Sequence, residues 1–194
     1  MQRRQALGIL GRMAVVPALS QLPLERLYAL GRETHRRLSE SPALRILDPH
    51  QHETVATVAQ LIIPETDTPG ARAAGVSEFI DLIMAEWYTE EQRAQFLVGL
   101  ADLDRRSQAS IGRVFLDAGA PDQVRILSEL ESEWLSLQAA AGGKPDEHFF
   151  HQIKHLTLYG YYTSRVGVEQ ELHWLAVPGR YDPCLATGIH MKGT

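Results

Sequence analysis

Five stretches of this chain repeat apolar residues at intervals of three and four, and residues that start or stop helices bracket them. Asp48-Pro49 pairs an N-cap with a proline in the first turn. Val55, Val58, Ala59, Ile62 and Ile63 follow as one stripe until Pro64 stops it. The polar turn from Glu65 to Gly70 leads to Ser77, a candidate cap, and to the apolar face Phe79, Ile80, Ile83, Met84 and Trp87. Thr89-Glu90-Glu91-Gln92 has the capping-box pattern. The long helix it opens turns Phe96, Leu97, Leu100, Leu103 and the stretch from Ile111 to Phe115 inward, and is expected to end at Gly119-Ala120-Pro121. Another is expected from Asp122 to about Leu137, burying Val124, Leu127, Leu130, Trp134 and Leu137. The last runs from about Asp146 to Thr163, with Phe149, Phe150, Ile153 and Leu156 to Leu158 as its core. No segment alternates with the period of two that a strand requires. The expectation is an all-α fold, a single bundle of about five to seven helices with an N-terminal signal segment and an extended C-terminal tail.

The 194 residues suffice for one domain with a real core. A net charge of −5, without a basic patch interleaved with aromatics, argues against nucleic-acid binding. The charge is uneven. Residues 1–45 hold eight Arg, no Lys and three Glu, a balance of +5 that leaves −10 for the rest. Such asymmetry marks a targeting segment or basic arm. Arg3-Arg4 precede a mildly apolar run from Ala6 to Leu19, with Ala18 and Ser20 as a small pair for cleavage: the order of an export leader. The adjacent arginines resemble a twin-arginine (Tat) signal, the route for proteins exported folded. Arg12 interrupts the apolar run, and an Arg-rich first helix on a cytoplasmic protein is the alternative. Leucines 24, 27, 30 and 38 sit near helical spacing and read as a connector, so residues 1–45 are taken as signal and connector and 46–194 as the helical domain.

The tract from Tyr159 to Cys184 holds four of the six tyrosines, one of the three tryptophans and the only cysteine. Pro178-Gly179 and Asp182-Pro183 forbid a continuing helix or central strand. An irregular aromatic segment must satisfy its backbone against a surface, its own or a partner's. Trp174, Arg180 and Tyr181 are the candidate partner anchors, being types enriched in interface hot spots. Tyr161 and Tyr162 join them at the helix end. Cys184 has two readings: a buried thiol, or, on an exported chain, a candidate intersubunit disulfide.

A single cysteine excludes an internal disulfide, Cys-based zinc or iron–sulfur sites and C-x-x-C-H haem attachment. No Gly-x-Gly-x-x-Gly dinucleotide motif, P-loop or nucleophile elbow occurs. His148, His151 and His155, with Glu147, have a spacing that allows a metal site; a free-standing helical metalloprotein is the alternative this raises. The ordinary reading leaves His151 and His155 solvated or interfacial, and His50 and His52 exposed in a first turn. Glu65, Asp67, Glu78 and Asp81 are acid–base candidates read more simply as caps and surface charge.

Three stretches resemble the gluconate 2-dehydrogenase subunit 3 family: Leu61 to Tyr88 (LIIPETDTPGARAAGVSEFIDLIMAEWY), Phe96 to Asp104, and Phe149 to Cys184 (FFHQIKHLTLYGYYTSRVGVEQELHWLAVPGRYDPC). The resemblance spans residues 50–185, and the leader is similar too. It implies a helical, non-catalytic small subunit with no cofactor of its own. Its partner would be a large flavoprotein of the glucose–methanol–choline (GMC) type that carries FAD and oxidises a sugar or sugar acid. A multihaem cytochrome c subunit carrying haem c is the further partner. The complex would sit in the periplasm at the inner membrane, the small subunit escorting its folded partner through the Tat machinery. A cytoplasmic helical interaction module is the remaining alternative.

Overall fold

A computed structural model describes residues 23–40, 44–140 and 147–173. Among them are six α-helices and no strand: α1 Leu24–Glu40, α2 Pro49–Ile62, α3 Val76–Trp87, α4 Glu90–Ile111, α5 Ala120–Ala139 and α6 Phe149–Thr163. A 3-10 turn, Phe115–Asp117, joins α4 to α5, and a π-helical turn, Val166–Glu171, follows α6. None of these helices is long and apolar enough to cross a membrane.

Local chemistry accounts for most of the boundaries. Asp48 accepts the Gln51 N–H at 2.8 Å while the Gln51 side chain accepts the Asp48 N–H at 3.1 Å, and Thr89 and Gln92 make the same reciprocal box at the start of α4. Ser77 does not cap α3. Gly75, in the left-handed region at φ 68°, starts that helix, and Ser77 lies buried within it with its hydroxyl on Glu78. The fourth helix stops earlier than its pattern suggests, because Gly112 takes φ 70° and its N–H closes on the Gln108 carbonyl. The chain turns back there, and Asp104 accepts the Phe115 N–H at 2.9 Å.

On α5 the expected face is rotated. Val124 and Leu137 are exposed, while Gln123, Ile126, Leu127 and Leu130 face inward. Gln123 is drawn in by a polar bond: its amide donates to the Phe115 carbonyl at 2.9 Å. That carbonyl also accepts the Ala118 N–H at 3.2 Å, so the Gln123 amide is its second donor.

The centre of the bundle is α6. Every residue from Phe150 to Thr163 is buried, and the helix packs against all five others. A helix buried all round is normally apolar, yet this one carries His151, Gln152, Lys154, His155 and Thr157 inside. Lys154 is accommodated by Glu131 of α5 at 2.6 Å and by the rings of Phe150 and Trp134. Gly160 sets the closest approach of α6 to α3, since a Cβ there would stand 2.8 Å from the Phe79 ring. That ring cannot retreat: His35 stacks on it at 4.9 Å and Tyr159 meets it edge-on at 5.3 Å. Gly160→Ala is therefore expected to lower the urea midpoint by the equivalent of about 1–3 kcal/mol, despite alanine's better helix propensity. An unchanged midpoint would show the contact to be soft.

Helix α1 is more than the connector its sequence suggests. It lies on α3 and α6, with Gly31 against Thr163 and the His35 ring against Phe79. The link from α1 to α2 is fixed by Asp81, which is 2% exposed. Its carboxylate accepts the backbone N–H groups of Arg45, Ile46 and Leu47 at 2.7, 3.0 and 2.8 Å.

Candidate functional site

The two most distinctive sequence patterns, the ETDTPG turn and the GYYTS run, meet in space. The turn leaves α2 after Ile62 and is folded back by the Ala71 N–H to the Ile63 carbonyl at 3.0 Å. Arg72 anchors its far side, its guanidinium on both Glu53 oxygens and its backbone N–H on Gln60. From the other direction the Tyr161 hydroxyl donates to the Pro69 carbonyl at 2.8 Å, and the Thr68 hydroxyl donates to Glu171 at 2.8 Å. The tip, Glu65 to Asp67, stays exposed above this clamp.

The same contact lies beside the end of α6. Ser164 donates its hydroxyl to the Tyr161 carbonyl at 2.6 Å and accepts the Gly167 N–H at 3.1 Å, which ends α6 and opens the π-helical turn. Gly167 is required because a Cβ there would drive into the Tyr161 carbonyl. His173 then takes φ 48°, an uncommon left-handed value for a residue with a side chain, and turns the chain once more. The ETDTPG turn and the root of the C-terminal segment thus form one hydrogen-bonded junction, a preorganised surface of the kind that binding favours.

The sequence-predicted site residues fall into three groups. Arg3, Arg4, Trp174, Arg180, Tyr181 and Cys184 lie outside the described residues. Tyr161 and Tyr162, expected to face a partner, are instead 1% and 7% exposed. Their rings pack edge to face at 5.3 Å, and the Tyr161 hydroxyl is committed to Pro69. They belong to the core because α6 is enclosed on all sides; they position the junction from beneath rather than present it.

The histidines form the third group. His148 is the N-cap of α6, its Nδ1 accepting the Phe150 N–H, with Nε2 3.9 Å from Glu133. His151 and His155 are not solvated: both are buried, with ring centroids 4.1 Å apart and His151 5.3 Å from Trp134. Burial, reinforced by His151 and Lys154 beside it, pushes the His155 imidazole down to about 3. Among the described residues no three His, Cys, Asp or Glu side chains stand together as a metal-binding group. His50 is exposed on Asp104 at 2.6 Å, whereas His52 is half-buried toward Glu78 at 3.4 Å.

Of the acidic candidates, Glu65 and Asp67 are exposed on the turn and Glu78 is paired with Ser77 and His52. Asp81 is neither a surface charge nor a helix cap but the buried clamp described above. Its one sequence signal was an acid set directly between Ile80 and Leu82. His35 gave no signal, since its hydrogen-bond partners lie more than a hundred residues away and its stacking partner is on another helix.

A family model described as Gluconate 2-dehydrogenase subunit 3 matches residues 49–179, about two thirds of the chain, and the protein belongs to that family. No curated protein and no solved structure matches the chain.

Proposed function

We propose that this chain is the non-catalytic small subunit of a periplasmic, inner-membrane-associated dehydrogenase, and that it stabilises and escorts a GMC-type flavoprotein acting on a sugar or sugar acid. The observation that carries the reading is the family match, which runs from α2 through the clamped turn and the junction into the C-terminal tract. In this reading FAD belongs to the large subunit and haem c to a multihaem cytochrome subunit, while the small chain supplies surface and address. The junction precedes the tract bearing Trp174, Arg180, Tyr181 and Cys184 in the chain. Those residues are the proposed anchors, with Cys184 as a candidate covalent link to the flavoprotein.

The Arg3-Arg4 pair supports the escort role, because a Tat passenger travels folded and one leader can serve a preassembled pair. Replacing both arginines with lysine in cells that co-express the flavoprotein is expected to leave the two proteins in the cytoplasm, still copurifying. Fractionation and dehydrogenase assay of the periplasm provide the measurement. If the flavoprotein reaches the periplasm regardless, the escort role is wrong; if the two never copurify, so is the subunit assignment.

A further inference from the structure

Helix α1 lies outside the family match, yet it rests on residues within that match. Its inward face puts Gly31 against Thr163, where a Cβ on the glycine would stand 2.6 Å from the Thr163 Cβ. One turn later the His35 ring lies flat on Phe79, with Nε2 2.9 Å from the Gly160 carbonyl. That carbonyl is available for a structural reason. Within a continuing helix it would accept the Ser164 N–H, but the Ser164 N–H turns instead to the Tyr161 carbonyl at 3.0 Å as α6 ends. His35 Nε2–H therefore supplies the donor that the end of α6 lacks.

The attachment is local. Among the described side chains, the central apolar cluster runs from Leu47 to Tyr162 and includes none from α1; Leu30 only packs against its edge. An isolated 17-residue helix is marginal in water, so α1 holds its shape through these contacts.

We propose that α1 is a releasable strap, seated in a groove formed by Phe79, Gly160 and Thr163 and held by the His35 hydrogen bond, which leaves without unfolding the bundle. The groove around the ring is uncharged. Burial there holds His35 below its ordinary range, outweighing the Gly160 carbonyl that favours its proton. The charged groups of the surrounding elements are engaged elsewhere. On α1 itself Glu33 holds Arg36 and Arg37; on α3 Asp81 holds the 45–47 backbone and Glu86 holds Arg37 and Arg45. On α6 Lys154 is held by Glu131, and beyond the helix Arg165 pairs with Glu169. Tyr159 is the remaining titratable group of α6 near the groove, and it hydrogen-bonds the backbone of Gly31. A proton on His35 thus finds no carboxylate to offset it, and acid is expected to loosen the strap. If residues 1–22 are an export leader, as proposed above, the strap ties that leader to a folded body.

Hydrogen exchange on the full chain, expressed as protection factors corrected for intrinsic rates, tests this without reference to export. At pH 7 the amides of 28–38 are expected to be protected, but at least tenfold less than those of α6. Between pH 7 and 5 their protection falls by about tenfold, in keeping with at most tenfold per pH unit for one titrating group. His35→Gln keeps a donor for Gly160 but cannot titrate. It is expected to abolish that additional acid sensitivity while leaving α6 protection unchanged. Gly31→Val is expected to strip protection from α1 alone. The proposal is overturned if α1 and α6 exchange with equal protection, if His35→Gln retains the wild-type pH dependence, or if Gly31→Val strips both helices together.

Discussion

Asp81→Ala is expected to lower the stability of the folded chain by about 3–5 kcal/mol, the cost of stripping a buried charged acceptor from its partners. Three backbone N–H groups, those of Arg45, Ile46 and Leu47, lose their acceptor at once, and Leu47 is itself buried. Domains of this size have roughly 5–15 kcal/mol in total, so the variant should sit near the edge of folding. Asp81→Asn separates charge from shape. The oxygen retained at Oδ1 can still serve Ile46 and Leu47, but the amide nitrogen replacing Oδ2 would point a donor at the Arg45 N–H. A smaller loss of about 1–3 kcal/mol follows for that variant. Urea unfolding followed by circular dichroism provides the measurement. Should Asp81→Ala unfold at the wild-type midpoint, the link between α1 and α2 is not held as described.

Acid is expected to destabilise the protein before its carboxylates are touched. His35, His148 and His155 are all held below the ordinary imidazole range, chiefly by burial. In the unfolded chain each takes up a proton near pH 6.5, while the folded chain resists doing so. The unfolded state therefore binds more protons as pH falls. The stability these groups contribute is complete above about pH 6.5 and is lost progressively toward the folded values, for His155 about 3. Between pH 6.5 and 4.5, His155 alone accounts for a loss of about 2 kcal/mol, from roughly 1.4 kcal/mol per pH unit per fully resisted proton. Glu33, Glu53 and Asp102, whose carboxyls neighbouring arginines hold low, add their losses at lower pH. His155→Leu, which fills the same buried space without a titrating group, should flatten the profile between pH 6.5 and 4.5. If its midpoint falls with pH as steeply as wild type, the buried imidazole is not the source.

The elements whose boundaries were legible are those with local causes. Asp48 with Gln51, Thr89 with Gln92 and the stop at Pro64 each act within a few residues, so they read directly from the chain. The misread elements turned on single residues that overrode an apolar pattern. The α5 face turned because Gln123 answers the carbonyl of Phe115, and α4 stopped at Gly112 because a left-handed glycine overrode an apolar pattern that continued past it. The histidines were misjudged for a tertiary reason. A polar helix face ordinarily meets water, and only the enclosure of α6 by five other helices makes His151 and His155 interior.

By itself the sequence determined the helical class, the caps and the two patterns that place the chain in its family, because these depend on short-range periodicity and on particular residues in order. Only the tertiary structure decided that the ETDTPG turn and the root of the C-terminal tract are one junction. It likewise decided that Tyr161 and Tyr162 support that junction from the core, that Asp81 is a clamp, and that α1 is docked through His35. Each of these rests on a hydrogen bond or ring contact between residues far apart in the chain, and the spacing of residues along a chain carries no record of what meets across a fold.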